Sequence, residues 1–186
     1  MADTVAEPPS ADLGQRITIY RAADGKHIME AMEFAPMDDA QMQGLMKGVE
    51  AGSEEGNVVK VLFSNKVLNL SLTYAWFKKG FPLPRHSHSA DCLYYVISGE
   101  LQYGSEVLKA GDGMFVPAGA LYTFESVGEN GVEFVEFRQA AKYDINYKTP
   151  AKIWDRQTEQ VKSNREAWAG AEPPLAARRM LGEASS

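Results

Sequence analysis

Short apolar-rich runs, each closed by Gly, Asn, Ser or Pro, dominate the middle of the chain. Residues 58–64, 68–78, 92–97, 100–103, 106–109, 114–116, 122–126 and 132–138 carry the β-branched and aromatic residues that suit strands. This rhythm predicts an all-β sandwich or barrel. Ser98 and Gly99, then Gly104 and Ser105, read as hairpin turns, and residues 110–113 as a tight loop. Pro117 cannot donate to a strand ladder and is expected to end the strand before it. Tyr94, Phe115, Phe124 and Phe134 read as core.

The flanks follow other patterns. Residues 17–20 read as a short strand. Residues 38–50 read as a helix that Asp38 or Asp39 can cap, with Met42, Leu45, Met46 and Val49 on one face. Such a stripe is expected to be packing surface. Residues 51–57 read as a loop. Beyond Arg138 the strand pattern fades. Residues 142–150 read as irregular, 151–168 as a polar helix or strap anchored by Ile153, Trp154, Val161 and Trp168, and 171–186 as a fraying end. The expected organisation is a disordered tail (1–14), an N-terminal arm with one helix (15–57), a barrel (58–138) and a C-terminal arm and tail (139–186).

The 186 residues suit one domain with extensions, and a hydrophobic content of 45% can fill a core. The absence of a long apolar run predicts no membrane span. The first residues lack the charged start and apolar segment of a secretory signal. Cys92 is the one cysteine and cannot form an internal disulfide, so a cytoplasmic setting is expected. The net charge of −6 and the absence of a dense Lys/Arg cluster argue against nucleic acid as a partner.

Chemistry concentrates in residues 80–99 and 111–122. His86 and His88 stand one residue apart, and on a strand such residues share a face. Two imidazoles facing one interior begin a metal site. Gly80, five residues, His86-x-His88 and then Gly99 form one frame; Gly111, Pro117 and Gly119 form a second. Together these frames resemble the two motifs of the cupin superfamily. The resemblance covers about residues 58–138. It implies an all-β single cupin barrel (a double-stranded β-helix or jelly roll) with short helical N- and C-terminal extensions.

The resemblance also implies a ligand set, and two positions depart from it. Cys92 occupies the place of the family's glutamate, and Tyr122 that of its second-motif histidine; Ser126 replaces an asparagine. The expected metal residues are His86, His88 and Cys92. A thiolate with two imidazoles suits zinc or iron, while a free cysteine is more often a small buried hydrophobe than a ligand. Tyr122 is the expected catalytic residue, orienting substrate or passing a proton, or else it lines the pocket. Asp91 would reach the site only through a bulge; Arg85 either meets a substrate carboxylate from the rim or, as expected on a strand, points outward, and His27 reads as a surface or subunit-contact residue. The implied function is a metal-dependent enzyme (dioxygenase-, isomerase- or lyase-like) acting on a small organic acid, carbonyl or aromatic compound. The alternative is a metal-free binding or sensor module. The implied cofactor is a divalent transition metal (iron, zinc, manganese or nickel) or none. The partners expected are a small-molecule ligand and, by analogy with cupins, a second copy in a homodimer.

Overall fold

The computed structural model describes residues 17–34 and 36–183, with side chains at 32–34 left aside. The tail expected at 1–14 lies outside the described residues. The elements in chain order are β1 (Lys26–His27), α1 (Ile28–Ala31), β2 (Met32–Phe34), α2 (Asp39–Glu50), β3 (Asn57–Asn65), β4 (Leu70–Phe77), β5 (His86–Ser87), β6 (Cys92–Tyr103), β7 (Glu106–Lys109), β8 (Gly113–Val116), β9 (Glu125–Ser126), β10 (Val132–Arg138), β11 (Tyr143–Tyr147), α3 (Ala151–Ala169) and α4 (Leu175–Leu181). The main sheet runs β1-β3-β4-β10-β6-β7, with β8 and β9 also on β6. A smaller sheet runs β2-β11-β5. The hydrogen-bonded path does not close on itself among the described residues. The class is all-β with helical extensions, as expected.

Strand alternation decides which side chains enter the interior. On β10, Val132, Phe134, Glu136 and Arg138 turn inward and are buried, whereas Phe137 is exposed. On β6, Cys92, Tyr94 and Val96 are buried between exposed Leu93, Tyr95 and Ile97. Phe115, expected in the core, is 62% exposed because its neighbour Val116 takes the inward place on β8. It pairs with Leu93, which pairs with Phe137, so these three lie across adjoining strands on the outer face.

The turn expected at Ser98 and Gly99 does not form. Residues 92–97 and 100–103 belong to one strand, β6. Gly99 has φ +76°, and the ladder to β10 shifts register between Glu133 and Phe134. A bulge therefore absorbs the bend that was read as a turn. The strand expected at 122–126 shrinks to β9 plus a single bridge between His86 and Tyr122. Residues 17–20 form no strand, although Tyr20 packs on Phe63 at 6.0 Å.

Residues 142–150, read as irregular, contain β11. It pairs antiparallel with β5 and parallel with β2, and it buries Ile145 and Tyr147. Its partners are distant in sequence, so the local pattern carried little signal.

The helices lie against this core. Asp38 caps α2, its carboxylate accepting from the Gln41 amide at 2.9 Å. The expected stripe packs only in part: Leu45 rests on the cluster of Ile145, Tyr147 and Trp154, whereas Met42, Met46 and Val49 are exposed and Gly44 is buried. A Cβ on Gly44 would stand 2.3 Å from the Trp154 ring, so α2 and α3 approach through the glycine. Helix α3 buries Trp154, Gln157, Thr158, Val161 and Trp168, a spacing of three to four residues that matches one helix face. Within the end expected to fray, 171–186, residues Leu175–Leu181 form α4. Ala177 and Met180 cover Tyr74 and Trp76 on the outer sheet face.

Candidate functional site

Helix α3 fixes the loop that delivers the histidines. Trp168 Nε1 donates to the Lys79 carbonyl at 2.9 Å, Asn164 and Gln160 amides donate to the Gly80 carbonyl at 3.0 Å, and Gln157 Nε2 donates to the Leu83 carbonyl at 3.1 Å. These donors satisfy carbonyls that an extended, proline-bearing loop would leave unpaired. His86 then exchanges backbone hydrogen bonds with Tyr122, N to O at 3.1 and 3.0 Å. The Gly119 amide donates to the His88 carbonyl at 2.8 Å. The two motif frames are thereby laced together.

The imidazoles share one buried interior, as their spacing predicts. His86 Nδ1 lies 2.7 Å from the Pro84 carbonyl, and His88 Nδ1 lies 2.5 Å from the Asp144 carbonyl. A carbonyl only accepts, so each Nδ1 carries the proton and each Nε2 presents a lone pair. The two Nε2 atoms face each other at 3.1 Å. Tyr122 Oη stands 3.0 Å from His86 Nε2 and 2.9 Å from His88 Nε2. Tyr94 Oη makes a short hydrogen bond with Tyr122 Oη. Tyr122 has one proton to give, so it can satisfy one Nε2 and leaves the other facing a lone pair.

Burial, then the neighbouring His88, pushes the His86 pKa down to about 3. Burial also lowers that of His88, against the pull of Glu136. Both rings are therefore neutral near pH 7, which is the form that binds metals. Burial and Glu136 hold the Tyr122 and Tyr94 hydroxyls well above the ordinary phenol range. The same causes raise the Cys92 thiol, which is 1% exposed and donates to the Ala90 carbonyl at 3.4 Å.

The structure adds two acids and a base that sequence reasoning missed. Arg138 Nη2 and Nε contact Glu136 Oε1 at 2.5 and 3.2 Å, while Arg138 Nη1 reaches the Asp144 carboxylate at 3.3 Å. Tyr143 Oη donates to Glu136 Oε2 at 3.4 Å, and the guanidinium lies 3.9 Å over the Tyr143 ring. Burial alone would raise the Glu136 carboxyl, but the charge and hydrogen bond of Arg138 outweigh it and keep it ionised. Two carboxylates and one guanidinium leave one negative charge in excess beside the neutral imidazoles. Donor atoms of His88, Cys92 and Glu136 all lie within 4.8 Å of one another, and His86 is not in that set, so the structure does not bring the expected trio of His86, His88 and Cys92 together as one cluster. A charged pair at the inward end of an otherwise apolar strand face was the available signal for Glu136 and Arg138.

Asp91 turns away: its carboxylate accepts from the Ala118 amide at 2.8 Å and is exposed. Arg85 and His27 are exposed, as read.

An ion fits between the two histidine rings. Two ligand atoms about 2.1 Å from one ion stand about 3.0 to 3.4 Å apart in octahedral to tetrahedral geometry. The Nε2 pair meets that spacing, and Tyr122 Oη completes a triangle with it. A cavity of ≈ 190 Å³ adjoins His86, Tyr94 and Glu136 and is walled by Phe77, Phe124 and Phe134 among others.

Paired histidines facing the interior, the second motif returning Tyr122 to them, and an antiparallel all-β frame define a protein of the cupin class. The chain belongs to the family described as a domain of unknown function, DUF4437, whose profile matches residues 61–171 and so runs through α3. No curated protein sequence matches the chain. It is similar to a protein of unknown function with a cupin-like fold from Ralstonia eutropha (21% identity, 62% of this chain and 79% of that one, TM-score 0.45). It is also similar to an RmlC-like cupin from Shewanella frigidimarina (28% identity, 46% and 78%, TM-score 0.39). A third similar structure is the polyketide cyclase RemF from Streptomyces resistomycificus (14% identity, 57% and 84%, TM-score 0.46). At these scores no activity passes from them to this chain. No helix among the described residues is long and apolar enough to cross a membrane.

Proposed function

We propose that the protein is a metal-dependent cupin enzyme acting on a small organic compound in the cavity beside His86. The observation that carries this reading is the convergence of two unprotonated Nε2 atoms at 3.1 Å with Tyr122 Oη at 2.9 and 3.0 Å. Lone pairs so placed in a buried site repel one another unless a cation lies between them, and the excess negative charge of Glu136 and Asp144 over Arg138 favours the same cation.

His86 and His88 would hold the ion. Tyr122, Glu136 and Cys92 are the candidates for further ligands, Glu136 supplying the carboxylate that position 92 lacks. A bound divalent transition ion supplies Lewis acidity toward a substrate oxygen. Tyr122 keeps its proton near neutral pH and presents it at the metal-facing end of the cavity, with Tyr94 as its hydrogen-bonded reserve. The aromatic walls exclude water around the reacting group. Asp144 and Arg138 act through His88: the Asp144 backbone carbonyl accepts a hydrogen bond from Nδ1–H and orients the ring, and Arg138 holds Asp144.

Metal analysis of the untagged protein tests this reading. The expected result is a stoichiometric transition metal in the wild type that is lost in His86→Ala and His88→Ala. A wild type that takes up no iron, zinc, manganese or nickel on titration contradicts it; small-ligand binding by such a protein would make it a binding module instead.

A further inference from the structure

We propose that the cavity takes a compound with one apolar ring and a single anionic oxygen head, the ring among Phe77, Phe124 and Phe134 and the head at the end formed by His86 and Glu136. The sign of the head rests on the metal-enzyme reading; the ring and the limit of one charge rest on the cavity walls.

Strand register divides the cavity along its length. Inward side chains of β4, β10 and β6 stand opposite one another in layers two residues apart. Phe77 pairs with Val132; Ala75 pairs with Phe134, which pairs with Val96; Thr73 pairs with Glu136, which pairs with Tyr94. Two apolar layers are thus followed by a polar one, about 13 Å from the first at the usual strand rise. Ring contacts follow the same direction. The Phe77 centroid lies 5.2 Å from Phe134 and 5.8 Å from Phe124, Tyr94 lies 5.5 Å from Phe134 and 6.0 Å from Tyr122, and His86 lies 4.5 Å from Tyr122. The phenylalanine walls offer ring faces and ring edges to a flat guest. The volume of ≈ 190 Å³ exceeds the roughly 150 Å³ that suffices for benzene in an apolar cavity.

Charge gives the head its sign and its number. His86 and Glu136 line the cavity together with Tyr94, whereas His88, Cys92, Tyr122 and Arg138 do not, so a guest meets the site from the His86 side. Glu136 and Asp144 against Arg138 leave one negative charge there, and a divalent ion beside them turns the balance to one positive charge. One anionic head neutralises it, and in a buried site an uncompensated charge of either sign is costly. A second anionic group on the guest would lie among the phenylalanines. No Lys or Arg among the described residues lines the cavity to meet it, and Glu54 at the exposed edge has the same sign. The walls therefore accept a ring-bearing monoanion and reject a dianion.

Isothermal titration calorimetry near pH 7.5 on the full-length protein, in its metal-bearing form and after metal removal, tests the proposal with 4-methylbenzoate, acetate, terephthalate and 4-methylanisole. The metal-bearing form is expected to bind 4-methylbenzoate at least about tenfold more tightly than acetate, which lacks the ring, and than terephthalate, which adds a charge. Metal removal is expected to weaken 4-methylbenzoate by about tenfold or more and to leave the uncharged 4-methylanisole within about twofold. Ala75→Leu, which fills space in the Phe134 layer, is expected to weaken 4-methylbenzoate about tenfold and to leave metal content and acetate unchanged; the wild-type ranking decides the matter if this variant does not fold. Absence of 4-methylbenzoate binding, acetate or terephthalate that matches it, or an affinity for it that is indifferent to metal would each overturn the proposal. Metal content separates the two readings. A metal-bearing protein without this ranking sinks this proposal alone, whereas a wild type that takes up no metal sinks the enzyme reading and, with it, the anionic head.

Discussion

Glu136→Gln keeps the shape of the side chain and removes one charge from an ion pair whose members are 4% and 1% exposed. The amide oxygen can still accept from Arg138, so packing and hydrogen-bond count change little. What changes is compensation: the buried guanidinium keeps only Asp144, at 3.3 Å and 22% exposed. Removing one partner of a buried pair costs about 3–5 kcal/mol. For a chain of this size each kcal/mol moves the melting temperature by about 2–4 °C, so a fall of about 6–20 °C is expected. The assay is thermal unfolding followed by circular dichroism near pH 7, on metal-stripped protein so that metal binding does not contribute. The companion variant Glu136→Leu/Arg138→Met removes both charges and is expected to lose less than Glu136→Gln alone, because no unpaired charge remains at the Glu136–Arg138 contact. A Glu136→Gln loss under about 1 kcal/mol, below the range for breaking a buried pair, would refute the view of this pair as a closed, desolvated clamp. So would a double variant worse than the single one.

Other outcomes follow from the same geometry. Met180→Ala should cost about 2–4 kcal/mol in urea unfolding, since Met180 packs on the outer-face cluster with Tyr74 and Trp76; a change within about 0.5 kcal/mol would mean that α4 is undocked in solution. The metal-stripped protein should lose stability as pH falls. His86 stays neutral down to about pH 3 when folded but takes a proton near its ordinary pKa of 6.5 when unfolded. Stability is thus complete above about pH 7 and declines below about pH 6.5 by about 1.4 kcal/mol per pH unit for this ring, with His88 adding in the same sense. Equal urea midpoints at pH 7.5 and pH 5.5 would contradict the buried, neutral state of the pair.

The sequence carried the frame of the site better than its chemistry. The spacing of His86 and His88 was enough to put both rings in one interior, and the glycines and Pro117 marked the return that brings Tyr122 to them. Strand alternation was legible within β6 and β10 yet was misapplied at Phe115, where a one-residue error in phase exchanges core and surface. Glu136 and Arg138 escaped because a charged pair on a strand reads as solvent-facing until the strand's neighbours are known. Asp144 and β11 escaped for a related reason: their partners, β5 and β2, lie far away in the chain. The stripe on α2 misled in part because periodicity shows that a helix has an apolar face but not how much of it docks: Leu45 packs, and Met42 and Met46 do not. A glycine, Gly44, made the closer approach to Trp154.

The proposed chemistry requires one transition ion between His86 and His88. An anomalous-scattering map from crystals of the metal-loaded protein tests it most directly. The expected result is a single strong peak about 2.0–2.2 Å from both Nε2 atoms. A peak elsewhere, or none at saturating metal, would contradict the account.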